Sequence, residues 1–149
     1  MARFKEFRFP VAVRWGGGKR VVASVAGKPE LEVATPPEFK GGFEGLWSPE
    51  DALVAAAATC FGVTLVAVCD RAEVPLRDFT IDGVGLMGGR EDDTFGFTAI
   101  ELTAAIETEP GYEVAMNEAA ERAEAGCFVS QALSVPVRLE LDVRARVAA

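Results

Sequence analysis

The side chains with the clearest capacity for chemistry are three cysteines, Cys60, Cys69 and Cys127. The chain contains no histidine, so it lacks the commonest general base and the commonest metal ligand. Hydrolases that pair a serine or cysteine nucleophile with histidine are therefore excluded. There is no CxxC pair, and a cysteine-rich zinc site would need carboxylates to complete it. Thiol redox chemistry is the activity that these residues support best.

Charge and the start of the chain limit the partners and the compartment. The formal net charge is −8, which argues against binding to nucleic acid or to an anionic membrane surface. The charged run 1–6 lacks the apolar region of a signal peptide. We therefore expect a cytoplasmic protein, where a disulfide that forms is more often transient, catalytic or sensing than structural.

Cys60 and Cys69 lie on a long predicted helix. Ser48 can cap its N-terminus, Pro49 occupies the first helical position, and acidic residues follow. The helix should end near Ala72. The run from 52 to 69 is uncharged and reaches the length of a membrane span. It is only mildly apolar, however, and we interpret it as a helix that is buried on nearly all sides, with an oligomer supplying part of the cover.

Helix geometry limits which of these side chains can meet. Cys60 and Cys69 are half a turn apart around the axis and cannot pair within one helix. Glu50 lies about 15 Å from Cys60 along the axis by rise alone, so a direct contact is not expected. Glu50 can instead orient an arginine near the sulfur, because a carboxylate binds guanidinium well in bidentate geometry. Cys127 follows Gly126, at the end of a second helix, and is free of these constraints.

The remaining elements indicate an α+β fold with a mostly antiparallel sheet, a long buried helix and a second helix. We treat residues 1–149 as a single domain. The predicted strands are 4–15, 21–25, 31–33, 78–87, 94–108 and 137–144. The predicted helices run from 49 to about 71 or 72 and from 113 to 125.

An irregular loop at 35–47 carries Phe39, Phe43 and Trp47 among glycines and prolines. Together with Phe61 these rings can wall an apolar substrate pocket. Ordinary core or subunit packing is the alternative. Likewise a buried cysteine is often only a small hydrophobic residue, and this interpretation applies best to Cys69.

Two segments at matching separation resemble the motifs of the OsmC/Ohr family. The first runs from Ser48-Pro49-Glu50-Asp51 through Ala58-Thr59-Cys60-Phe61. The second is Ala123-Glu124-Ala125-Gly126-Cys127-Phe128-Val129-Ser130, followed by the alternating strand. The resemblance covers essentially the whole chain and implies an intertwined α+β homodimer.

The resemblance also implies an activity. Cys60 would be the peroxidatic cysteine that reduces an organic hydroperoxide and becomes a sulfenic acid. Cys127 would be the resolving cysteine, which forms a disulfide that an external dithiol then reduces. Glu50 falls on the motif glutamate that supports an active-site arginine. No metal, flavin or haem cofactor is implied.

The position of the active-site arginine differs between this chain and the hydroperoxide-resistance branch of the family. The hydroperoxide-resistance branch of the family carries it in a glycine-rich N-terminal loop. In this chain a glycine occupies that position and Lys19 and Arg20 follow, so Arg20 is the candidate. Phe128 also stands where members often have proline. The alternative function on the same fold is a binding or redox-sensing protein with little peroxidase turnover.

Overall fold

A computed structural model describes residues 4–147 of the chain. Residues 1–3, part of the charged start that bears on localisation, lie outside that range. The chain divides into two compact units, one reaching Ala52 and the other beginning at Leu53. The two units are described separately.

The first unit contains a three-stranded antiparallel meander. Its strands are β1 (Ala12–Gly17), β2 (Arg20–Ser24) and β3 (Leu31–Ala34), in the order β1-β2-β3. Gly18 lies in the β1–β2 turn with φ +58, a value that suits glycine. The meander was predicted, but the first strand begins at Ala12 rather than at residue 4. Ala12 pairs with Ser24, the last residue of β2. The residues before Ala12 therefore extend beyond the end of β2.

The helix that carries Cys60 is α1 (Pro49–Ala72), with the predicted start and end. The Ser48 Oγ accepts a hydrogen bond from the Asp51 N–H at 3.0 Å, and the Asp51 carboxylate accepts one from the Ser48 N–H at 2.8 Å. This reciprocal cap satisfies two backbone donors that the helix geometry leaves unpaired. The prediction that Ser48 caps the N-terminus of α1 is thus confirmed.

The single chain covers only part of α1, and the expectation that an oligomer supplies the rest of the cover stays a prediction. Only 33% of its most apolar stretch is buried, although its length and composition alone would suit a membrane span. One face packs on the protein core, whereas Val63 is 68% exposed on another face. The buried positions of α1 are Ala57, Phe61, Gly62, Leu65, Val68 and Cys69.

The second unit contains a second three-stranded sheet, made of β4 (Leu76–Gly89), β5 (Phe95–Thr108) and β6 (Val137–Ala145). The central strand β5 is antiparallel to β4 and parallel to β6. The α+β class is therefore confirmed, with two separate sheets where the sequence analysis expected one. The parallel pairing requires a crossover between β5 and β6, and a helix supplies it.

That crossover contains α2 (Glu113–Ala125) and a short helix α3 (Phe128–Ala132). The bounds of α2 were predicted, including its C-cap at Gly126. The helix α3 was not predicted, because five residues are too few to show a periodic apolar pattern. Cys127 is the N-cap residue of α3, so it sits at the junction of the two helices.

The core of the second unit lies between α1, α2 and the sheet. Ile100 and Ile106 of β5 are 0% and 1% exposed, and Leu65 of α1 is 0% exposed. Small residues of α2, among them Ala119 and Ala123, are fully buried and allow close packing. This packing fixes the position of the cysteines on α1 and after α2.

Candidate thiol site

Cys60 and Cys127 meet in the folded second unit. Cys60 lies at the middle of α1 and is partly exposed, while Cys127 precedes α3 and is buried. Both are free thiols, and the Cys60 side chain is near enough to the Cys127 sulfur to help lower the pKa of the Cys127 thiol. The fold therefore brings together two cysteines that are far apart in the sequence.

Hydrogen-bond donors converge on the Cys127 sulfur. Burial acts to raise the pKa of the Cys127 thiol, but hydrogen bonds outweigh it and leave the pKa below its ordinary value. The donors are the Ser130 hydroxyl, the backbone N–H groups of Ser130 and Val129, and the Cys60 side chain. The Ser130 Oγ lies 3.4 Å from the Cys127 sulfur. A thiolate at Cys127 is stabilised by these contacts.

Cys69 lies apart from this pair, in the core, as expected. It is 2% exposed, and its sulfur lies 3.7 Å from the Met116 thioether. Burial, with a smaller contribution from the Asp70 carboxylate, raises the pKa of the Cys69 thiol despite the opposing charge of Arg122. A protonated, buried thiol is a poor nucleophile, so Cys69 acts as a packing residue.

Glu50 occupies the first turn of α1, as predicted. Its Oε2 is buried and has no hydrogen-bond partner among the described residues. Burying a carboxylate oxygen without a partner costs free energy unless a cation or donor reaches it. Glu50 thus presents an acceptor that suits a guanidinium, although no such bond to this oxygen is present in residues 4–147.

Arg20 lies at the start of β2, and its guanidinium contacts its own hairpin. The Arg20 Nη2 donates to the Gly16 carbonyl at 2.9 Å, and Nε donates to the same oxygen at 3.3 Å. The guanidinium carbon lies 5.9 Å from the centre of the Phe43 ring, within the range of a cation–π contact. Arg20 therefore contacts one of the aromatic residues that the sequence suggested for substrate binding.

The four predicted substrate-binding aromatic residues have different environments. Phe39, Phe43 and Trp47 of the first unit are 39%, 37% and 48% exposed. Phe61, in contrast, is 1% exposed and belongs to the core of the second unit. Phe61 was interpreted either as part of a pocket wall or as a packing residue. Its surroundings are those of a core residue.

An open apolar groove of about 320 Å³ runs along another face of α1, against β4. Cys60 is not among the residues that line it, and the lining is almost entirely carbon. The lining residues are Ala58, Thr59, Gly62, Val63, Val66, Phe79 and Ile81. This groove is distinct from the thiol pair.

Sequence reasoning missed Ser130 as a residue of the site. Its position three residues after Cys127 was visible in the second motif. Without the prediction of α3, however, nothing indicated that this spacing would bring the hydroxyl back to the sulfur. A helical turn places residues three apart on one side, which is the signal that would have identified it.

Comparison with known proteins connects this arrangement to a family. Residues 42–142 match the family described as OsmC-like protein. A curated relative, the uncharacterized protein YmaD of Bacillus subtilis, is 24% identical over 144 residues, which cover 92% of this chain and 93% of that protein.

Solved structures share the fold at low sequence identity. An OsmC-like protein of unknown function from Vibrio cholerae is 15% identical with a TM-score of 0.83, covering 91% of this chain and 99% of that one. An organic hydroperoxide resistance protein from Elizabethkingia anophelis is 22% identical with a TM-score of 0.74, covering 95% and 99%. The organic hydroperoxide resistance protein OhrB of Bacillus subtilis is 22% identical with a TM-score of 0.66, covering 93% and 98%.

Proposed function

Because the chain belongs to the OsmC-like protein family and its fold places the Cys60 side chain near the Cys127 sulfur, we propose that it is a cytoplasmic thiol peroxidase that reduces organic hydroperoxides to alcohols. The proximity of the Cys60 and Cys127 side chains is the observation that carries the proposal. The names of two structural neighbours, both organic hydroperoxide resistance proteins, point to the same substrate class.

The oxidative half-reaction begins at Cys60, the more exposed sulfur of the pair. Its thiolate attacks the terminal oxygen of the hydroperoxide and breaks the O–O bond, which gives a Cys60 sulfenic acid and an alkoxide that takes a proton to become the alcohol. The Cys127 thiolate then attacks the Cys60 sulfur, hydroxide leaves as water, and the disulfide forms. An external dithiol reduces that disulfide and is itself oxidised.

Activation of Cys60 is assigned by resemblance to Arg20 and Glu50. A guanidinium lowers the pKa of a neighbouring thiol and a carboxylate orients that guanidinium. The buried, unpartnered Glu50 oxygen supports an acceptor role for this residue. The loop aromatics Phe39, Phe43 and Trp47 supply apolar surface for the alkyl part of a substrate.

Steady-state turnover tests the proposal. Reduced protein is mixed with excess dithiothreitol as the dithiol, together with either cumene hydroperoxide or hydrogen peroxide, and peroxide loss is followed. The proposal expects catalytic consumption of both the peroxide and the dithiol, and faster reduction of cumene hydroperoxide. A single equivalent of peroxide consumed without further turnover would favour the alternative, a redox sensor on the same fold.

The exposed face of α1 supports a homodimer as part of this proposal. Val63 and Val66 are 68% and 39% exposed beside the apolar groove, although they belong to the most apolar helix of the chain. A second copy of the chain would remove this surface from water. The dimer would also bury the apolar residues of α1 that the single chain leaves exposed, as the sequence of this helix predicts.

A Val63→Asp substitution should weaken the dimer. Burying an unpaired carboxylate in the interface costs more than about 1–3 kcal/mol, so the dimer dissociation constant should rise roughly tenfold or more. Light scattering coupled to size exclusion, over a dilution series, measures this change. Val114→Asp is the matched control, because Val114 is 73% exposed on α2. An equal effect of both substitutions, or of neither, would contradict the assignment of this face.

A further inference from the structure

The two sulfurs of the pair differ in their access to solvent. Cys127 is 1% exposed, whereas Cys60 is partly exposed. In thiol–disulfide exchange the attacking thiolate must reach one sulfur of the disulfide, and access is one of the factors that decides which. An external thiol that approaches a Cys60–Cys127 disulfide therefore meets Cys60 first.

Hydrogen-bond donors around the Cys127 sulfur suit it to be a leaving group. The Ser130 hydroxyl donates to the Cys127 sulfur at 3.4 Å, and the backbone N–H groups of Ser130 and Val129 also act to lower the pKa of this thiol. Burial opposes ionisation of Cys127, yet these bonds leave the pKa of the thiol lowered. A thiol with a lower pKa leaves faster from a disulfide, so Cys127 is prepared to depart as the thiolate.

Backbone bonds hold this group of donors in place. The Cys127 N–H donates to the Glu124 carbonyl at 3.1 Å, and the Cys127 carbonyl accepts from the Gln131 N–H at 3.1 Å. The turn that follows Cys127 is thus fixed on both sides of the sulfur. Ser130 does not need to move in order to receive the developing charge, which is the advantage of a preorganised donor.

We infer that reduction of the disulfide has a fixed direction: the external thiol attacks Cys60, Cys127 leaves as the thiolate, and Ser130 is the positioning residue that stabilises it. The S–S bond breaks as a new bond forms between Cys60 and the incoming sulfur. The second thiol of a dithiol then attacks the incoming sulfur, releases Cys60 as a thiolate and closes the oxidised reductant. This inference deepens the proposed function and rests on its disulfide.

The direction of attack can be read from a trapped mixed disulfide. Protein is oxidised with diamide, so that disulfide formation does not depend on peroxidase activity, and is then treated briefly with glutathione and quenched with N-ethylmaleimide. Peptide mass mapping should find glutathione on Cys60 and the maleimide on Cys127. Glutathione on Cys127, or on both in equal amounts, would overturn the inference. If diamide forms no Cys60–Cys127 disulfide, the inference also fails, whereas peroxide turnover through Cys60 alone would remain measurable.

The role of Ser130 is tested by Ser130→Ala, with Ser134→Ala as the control on an exposed serine. Release of Cys127 by glutathione should slow roughly two- to tenfold, the effect of one hydrogen bond, and Ser130→Thr should restore the rate. In a Cys60→Ser, Cys69→Ala background, the ultraviolet titration of the Cys127 thiolate should shift to higher pH with Ser130→Ala and not with Ser134→Ala. An unchanged titration or rate in Ser130→Ala would overturn the assignment.

Discussion

Replacing Cys60 with serine is expected to reduce the consumption of cumene hydroperoxide to the uncatalysed rate. A serine hydroxyl is a far weaker nucleophile than a thiolate toward a peroxide oxygen and cannot form a sulfenic acid. Cys127 remains in this variant, but its sulfur is 1% exposed and poorly placed to meet a substrate. Peroxide loss in the presence of excess dithiothreitol measures the effect.

The other two cysteines supply matched controls for this prediction. Cys127→Ser should still react with one equivalent of peroxide and retain a Cys60 sulfenic acid, which dimedone labels. Cys69→Ala should keep turnover, because Cys69 packs in the core beside Met116 and away from the pair. If Cys60→Ser consumed peroxide as fast as the parent protein, Cys60 would not be the nucleophile.

Truncating Phe61 to alanine is expected to cost about 3–5 kcal/mol of unfolding free energy, the range for a large buried aromatic residue. Phe61 is 1% exposed and packs in the core of the second unit. The loss combines the transfer free energy of the ring with the cavity that remains. Denaturant unfolding at a fixed protein concentration measures it, which keeps any monomer–dimer equilibrium constant across variants.

Phe128→Ala is the control for Phe61→Ala, since Phe128 is 82% exposed. Its substitution should change stability by no more than about 0.5 kcal/mol. The unfolding free energy and the KM together distinguish a core role of Phe61 from a role in a substrate pocket. If Phe61 served mainly as a wall of a substrate pocket, its truncation would raise the KM for cumene hydroperoxide and leave the unfolding free energy nearly unchanged.

The sequence predicted most where a local chemical signal marks a boundary. Ser48 and Pro49 defined the start of α1 because a cap and a proline act on the first turn alone. Alternation from Val137 to Arg144 identified β6, and Gly126 marked the end of α2. Each signal depends on neighbouring residues and not on the rest of the fold, which is why each could be read without the structure.

Features that depend on distant partners were not predicted. The first strand begins at Ala12 because β2 ends at Ser24, and no local pattern reveals the length of a partner strand. Ser130 reaches Cys127 only through α3, whose five residues carry no periodic signal. The pairing of Cys60 with Cys127 was suggested by resemblance, and the fold shows only that the two side chains are near each other.

In the proposed function, Cys60 and Cys127 form a redox pair that organic hydroperoxide oxidises. Adding one equivalent of cumene hydroperoxide to fully reduced protein, followed by peptide mapping of the quenched product, tests it most directly. We expect the loss of two thiols per chain and a single disulfide that joins Cys60 to Cys127, with Cys69 still reduced. Retention of the Cys60 and Cys127 thiols, or a disulfide that contains Cys69, would contradict the proposed function.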